Sequence, residues 1–411
     1  MNAPTIERPA TTRPVLREVS LYIAIVGVSL LAALNPAVTG FAIELGGFHK
    51  AYLFILDLCL AGIVGAALMH RRTGHQRFFW LAVIGIGVTP VVLAASELAL
   101  AYALLRYSGP LSHRKISGVY EPDPQLGWRL VANNTGHDVY PGNFNATYEM
   151  DGQGRRKVPA AAVAGPTIHL FGSSFTFGDG VNNDETALYI LAQAHRNRFR
   201  VVNYSVSAYG LDQMVFRLEA SQDSLAPGDV VVLAPTPASV SWNMIDKSFP
   251  CRFIIRSGEY PVGRYPLLTK AGWQFLDLKD ACGILETLLL NSPGLPIGNY
   301  AARRHTEATK VATIELADRL FARARQIAES RGAHFLVMMI VNADECRTKQ
   351  FSLDLSGLKT PIVSMMPYCP NDNAAIDGLS FPDDWHYNVK GNRWLADILA
   401  SMLLNVEPGL R

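Results

Sequence analysis

Three long apolar stretches open the chain. Val19 to Ile43 carries no charge, Ala51 to Met69 carries only Asp57, and Phe78 to Leu105 carries only Glu97. About 20 apolar residues suffice for a helix to cross the hydrocarbon of a bilayer. The pattern therefore predicts a tail at 1–18 and a membrane domain of three transmembrane helices at 19–105. Beyond it, 106–165 is rich in Pro, Gly and Asn and reads as a preamble of short strands joined by turns. From Pro166 the period changes again. Short runs rich in β-branched residues at Thr167–Phe171, Arg200–Tyr204, Val230–Ala234 and His334–Val341 read as buried strands, with a weaker one at Pro361–Met365. Between them Thr186–Arg198, Gln213–Leu225, Thr309–Arg331 and Val389–Leu404 carry helical patterns. Such alternation predicts an α/β domain over 166–411, a parallel sheet covered on both faces. An insertion at about 240–304 contains Trp242, Trp273 and a helical Ala281–Leu290.

Composition sharpens the membrane reading. Of 411 residues, 49% are apolar and only 18% charged, against about a quarter charged in an average soluble chain. The net charge is +2 and there is no basic tract, so nucleic acid is not an expected partner. Arg8, Arg13 and Arg17 precede the first apolar stretch; Arg71, Arg72 and Arg77 lie between the second and third. Basic residues stay on the cytoplasmic side. That rule places the tail and second loop in the cytoplasm and everything after Leu105 outside it, in the periplasm of an inner-membrane protein. Asp57 and Glu97 fall at matching depth within their spans and read as a hydrogen-bonded pair or a polar path for an acyl donor. Cys251, Cys282, Cys346 and Cys369 lie in the exported part, where disulfides persist. Cys346 and Cys369 follow the ends of two strands expected to be neighbours and are paired on that ground. No cysteine pair has CxxC spacing, and His169, His195, His305 and His334 lack a spaced partner. Neither a metal nor a cofactor is expected.

The chemistry concentrates in two segments. Gly172-Ser173-Ser174-Phe175-Thr176-Phe177-Gly178 ends the first strand of the α/β domain, where ligands of open parallel sheets bind. A serine hydroxyl needs a base within reach to become a nucleophile. Near the other end of the chain, Asp383-Asp384-Trp385-His386 precedes the last helix and places two carboxylates close to an imidazole. A carboxylate there can fix the tautomer and stabilise the cation.

Together these segments resemble the SGNH/GDSL hydrolase family, over roughly Pro166 to the C-terminus. Gly172–Gly178 is similar to its first block, with Ser173 where Asp is usual. Val202-Asn203-Tyr204-Ser205-Val206-Ser207-Ala208-Tyr209-Gly210 resembles the second block, and His386 with its aspartates the last. The resemblance implies a flavodoxin-like three-layer domain with Ser174 as nucleophile and His386 as base. The acid is Asp383 or Asp384: the family's widespread D-x-x-H spacing points to Asp383, the D-x-H spacing of some members to Asp384, and the reading leans to Asp384. It also implies an oxyanion hole made by the N–H groups of Ser174 and Ala208. Two departures stand out. Ala208 replaces the usual glycine, and no Asn occupies the expected place in the third block, where Ser239 or Asn243 is the available substitute. The expected substrate is an acyl, chiefly acetyl, ester of carbohydrate or lipid. Water as acceptor gives an esterase and a sugar hydroxyl gives an O-acyltransferase, with a membrane partner supplying acyl groups. A shell without catalysis would instead be a glycan- or protein-binding module.

Overall fold

The run Thr-Ile-His-Leu-Phe-Gly forms a strand with every residue buried. It lies near the centre of the sheet that organises the C-terminal part of the chain. The computed structural model describes residues 12–34, 47–107, 114–241, 264–269, 272–277 and 296–407. The chain divides into two compact units, Met1–Ala103 with Leu288–Tyr300, and Leu104–Thr287 with Ala301–Arg411.

In the first unit, helices Thr12–Leu34, Gly47–Thr73 and Gln76–Tyr107 cover most of the three apolar stretches. A small core of Ala24, Ile63, Val64, Ala67 and Ala82 joins them. Residues such as Tyr22, Ile25, Val26, Trp80, Leu81, Ile84 and Val91 point outward. Among the described residues no helix is long and apolar enough to cross a membrane. The Asp57 Oδ1 is buried without a hydrogen-bond partner among those residues; the Glu97 side chain lies outside them.

The second unit begins with short strands. These are β1 (Lys115–Ser117), β2 (Tyr120–Asp123), β3 (Gly127–Leu130), β4 (Thr135–Tyr140) and β5 (Phe144–Glu149). They form the antiparallel pair β2–β3 and the antiparallel sheet β1–β4–β5. The main sheet follows, built from β6 (Thr167–Gly172), β7 (Arg200–Asn203), β8 (Val230–Ala234), β11 (His334–Met339) and β12 (Val363–Ser364). All neighbours are parallel, in the order β12-β11-β8-β6-β7. The chain steps from β6 to β7 on one side, then crosses to β8 on the other. The carboxyl ends of β6 and β8 thus mark the switch point where such sheets hold ligands. A hairpin, β9 (Arg264–Thr269) and β10 (Gly272–Asp277), occupies part of the insertion.

Side chains alternate across a strand, and the core divides accordingly. Phe171, Val231, Leu233, Val337 and Met339 pack on one face, against helix Leu211–Ser221 and the Ala317, Leu320 and Phe321 face of helix Pro296–Ser330. Ile168, Leu170, Val201, Val232 and Met338 pack on the other, against Leu188 and Leu191 of helix Ala187–His195 and Leu395 and Leu399 of helix Val389–Val406. Apolar burial is worth about 25 cal/mol per Å², so a sheet covered on both faces explains why its strands read as mostly apolar runs rather than alternating ones. The result is a three-layer α/β/α arrangement. His169 lies within it, and its Nε2 meets Asp229 at 3.0 Å. Burial pushes its pKa down although Asp229 opposes that shift. Cys346 and Cys369 form a disulfide with Cα atoms 5.3 Å apart. Cys251, Cys282, Trp242, Asn243, the Trp273 side chain and the Ala281–Leu290 segment lie outside the described residues.

Candidate active site

β6 ends at Gly172, where a Cβ would fall 2.0 Å from Thr176 Oγ1. Only glycine allows the chain to fold back so tightly. The next residues turn into the short helix Ser174–Phe177, capped by Gly178 in the left-handed region. Ser174 therefore stands at the carboxyl end of β6. It is 4% exposed, and no hydrogen bond to its Oγ is found among the described residues. Ser173 is buried beside it.

His386 arrives on a separate piece of the fold. β13 (Ser380–Phe381) pairs antiparallel with β14 (Asp384–Tyr387), and the Ser174–Phe177 helix rests against β14. The ring of Phe175 lies 5.3 Å from that of His386. The segment after His386 is firmly held. Asn388 Oδ1 accepts from Gly391 N–H at the start of the last helix, and Asn388 Nδ2 donates to Gly378 O and Ser380 O. Tyr387 donates its hydroxyl to Val341 O.

Asp384, rather than Asp383, meets the imidazole. Asp384 Oδ1 accepts from His386 Nδ1 at 2.5 Å and from its backbone N–H at 2.9 Å. The Asp383 side chain is exposed, and its N–H donates to Asn143 Oδ1. Burial opposes ionisation of Asp384, but His386, aided by Arg114, holds its carboxyl well below the usual range. Burial likewise disfavours the imidazolium, yet Asp384 and then Asp179 outweigh it and raise the His386 pKa. The pair thus leaves Nε2 as the nitrogen free for proton transfer.

The second block supplies a loop at the end of β7. Ala208 has φ 64°, the left-handed conformation that favours glycine. Trp128 Nε1–H donates to Ser207 O, and Tyr209 donates its hydroxyl to Trp128 O. The preamble strand β3 therefore clamps this loop. Among the described residues neither the Ser174 nor the Ala208 N–H donates a hydrogen bond, which leaves both open to an oxyanion. Ser239 is fully buried, and its hydroxyl donates to Thr236 O and accepts from Thr236 N–H. That hydroxyl is engaged in its own turn.

Four charged residues around the site have no counterpart in the sequence reading. Arg114 lies between two carboxylates, donating to both oxygens of Asp138 and, at 3.1 Å, to Asp179 Oδ2. Asp179 Oδ2 also accepts from Ser207 Oγ at 2.7 Å and lies 3.8 Å from His386 Nε2. Tyr148 donates to Asp138 and accepts from Gly180 N–H. Its pKa is raised well above the ordinary value, by burial first and then by Asp138. Arg156 is 1% exposed and makes no ion pair among the described residues. It donates to Phe177 O, Gly178 O, Val181 O and Asn183 Oδ1, and its guanidinium covers the ring of Tyr148. Burial pulls its pKa down to about 10. The turn that presents Ser174 is thus wrapped around a buried guanidinium. A recognisable signal existed in Gly178-Asp179-Gly180, where two left-handed glycines fix an acid between them.

No protein-family profile and no curated protein matches the sequence. Among solved structures, the chain is similar to a member of the lipolytic protein G-D-S-L family from Veillonella parvula. The identity is 13% and the TM-score 0.32, over 60% of this chain and 99% of that one. It is also similar to TesA, at 14% identity and TM-score 0.30, over 59% and 99% of the two chains.

Proposed function

We propose that this chain is a membrane-anchored serine esterase of the SGNH/GDSL type, acting on acetyl or similar short acyl esters of carbohydrate or lipid. The observation that carries this reading is the buried Asp384–His386 pair, seated on a strand against which the Ser174 turn packs. In the first step the Ser174 Oγ–H proton passes to His386 Nε2 while Oγ bonds to the ester carbonyl carbon. The carbonyl oxygen takes the displaced electron pair, and the Ser174 and Ala208 N–H groups stabilise it. Collapse of the tetrahedral species breaks the ester C–O bond, and His386 returns the proton to the departing alcohol. Water, activated by the same nitrogen, then releases the acid. A nucleophile–base contact often tightens only when substrate binds, consistent with the unbonded Ser174 hydroxyl.

A fluorophosphonate probe tests this directly. Labelling of the full chain that is lost in Ser174→Ala and in His386→Gln is the expected result; no labelling of a folded chain would sink the reading. Acyl esters assayed with and without a glycan acceptor distinguish hydrolysis from transfer. The membrane anchor is supported by the apolar stretches at 19–105 and by the outward-facing side chains of Tyr22, Ile25, Trp80, Leu81 and Ile84. It predicts that the protein stays with the membrane pellet after alkaline carbonate extraction.

A further inference from the structure

His386 is held from two sides. Asp384 takes its Nδ1, as the esterase reading requires. The other side has its own acid, for which that reading has no use. Asp179 is 1% exposed, and its Oδ2 lies 3.8 Å from Nε2, the nitrogen that must exchange protons with Ser174. That distance is beyond a hydrogen bond but well within the range where a carboxylate acts on an imidazolium. The same oxygen accepts from Ser207, next to Ala208 in the oxyanion loop. Its backbone N–H donates to Ser174 O at 3.1 Å. The flanking glycines fix its placement. Gly178 and Gly180 have φ 86° and 84°, and a Cβ on Gly180 would lie 2.6 Å from the Phe381 ring. Among the described residues Asp179 Oδ1 is buried without a hydrogen-bond partner, a costly arrangement for a residue with only a packing role.

We propose that Asp179 is a positioning residue that couples the base to the oxyanion loop, facing the proton-carrying edge of His386 while holding the Ser207 hydroxyl beside Ala208. The proposal rests on the serine-esterase reading. When Nε2 takes the Ser174 proton, the new imidazolium has a carboxylate on each side, and the loop that receives the oxyanion is tied to the same group. Arg114 tempers the effect by sharing Asp179 with Asp138. The charged groups facing His386 are Asp384 on its own strand, Asp179 on the serine turn and Arg114 from the preamble. Phe175 and Trp385 supply uncharged sides.

The test is a titration of the full chain carrying histidine labelled at Cε1, followed by NMR. Asp179→Asn keeps the shape and removes the charge. Its His386 midpoint should fall by about one pH unit relative to the parent, and the acid limb of fluorophosphonate labelling should fall with it. Ser207→Ala leaves the carboxylate with one donor fewer. That variant should raise the midpoint and slow labelling at every pH. A role in packing alone would change stability or labelling and leave both midpoints in place. Unmoved midpoints in whichever of the two variants fold overturn the proposal. The NMR readout does not depend on catalysis. If Ser174 is never labelled yet the midpoint still moves, the esterase reading fails while the coupling stands.

Discussion

Replacing Asp384 by Asn should disable the site by removing the charge behind the base. The carboxylate is buried, and its Oδ1 accepts both the ring and the backbone N–H of His386, at 2.5 and 2.9 Å. An amide of the same shape carries no charge to stabilise the imidazolium, and when turned over its Nδ2 presents hydrogens to the ring in place of that oxygen. An imidazole facing those hydrogens keeps its proton on Nε2, where the Ser174 proton has to go. Loss of the correct tautomer costs about a thousandfold to ten-thousandfold in turnover. Stability follows with a definite pH dependence. The Asp384 pKa is depressed in the fold. Its contribution is therefore complete above the unfolded value of about 3.9 and is lost as pH falls toward the folded one. The His386 pKa is raised, so its contribution is complete below about 6.5 and is lost as pH rises through the folded value. The parent should thus exceed the variant most between about pH 4 and 6.5. A buried charge-assisted hydrogen bond sets the scale at about 1.5–3 kcal/mol. Urea unfolding at pH 5, 7 and 9, with hydrolysis of a p-nitrophenyl ester at each pH, measures both effects. A variant that keeps more than about a tenth of parental turnover would refute the reasoning. So would Asp383→Asn proving the more damaging change.

The Ala208→Gly variant relieves an L-residue at φ 64°, which costs about 1–2 kcal/mol, while freeing the unfolded chain returns about 0.4–1 kcal/mol of that. Thermal unfolding should find it no less stable than the parent, whereas glycine at an ordinary buried position destabilises; a loss above about 1 kcal/mol would contradict the strain. Opening the Cys346–Cys369 bridge, with a sequence separation of 23, by Cys346→Ser should cost about 3 kcal/mol on the loop-entropy scale, read as a lowered urea midpoint. Gly180→Ala drives a methyl into the rings of Phe381 and Phe144 from a left-handed backbone. It should destabilise by more than about 1 kcal/mol and depress ester hydrolysis by shifting the Ser174 turn; a variant as stable and active as the parent would show that the turn yields freely.

The scaffold was legible because burial on both faces leaves a simple trace. Val230–Ala234 is apolar end to end and Thr167–Phe171 is interrupted only by His169 after its opening Thr167; in the structure β6 runs one residue further, to Gly172, while β8 keeps those bounds. The serine turn and the Asp-x-His segment were legible because close contacts within a few residues leave a local pattern. Arg114, Asp138, Arg156 and Asp179 were not. Apart from the Asp138–Tyr148 bond, ten residues apart, their side-chain hydrogen bonds span 21 or more residues of chain, and a lone charge in a polar stretch looks the same whether it ends in solvent or in the core. Arg114 stands shortly after the third apolar stretch, where nothing in the sequence marks it for burial. In the structure it is buried between two carboxylates. Ala208 shows the reverse case, where a familiar glycine position is filled by a residue that adopts the glycine conformation anyway.

The guanidinium of Arg156 has a practical consequence for anyone wishing to isolate the α/β domain. Sequence pattern alone would suggest trimming at Pro166, just ahead of the first sheet strand. Such a fragment would abandon three carbonyls on the serine turn that this side chain now satisfies, together with the Trp128 clamp on the neighbouring loop. The smallest useful expression boundary therefore lies upstream of Arg114, and the segment that reads as a mere connector is part of the folded α/β body.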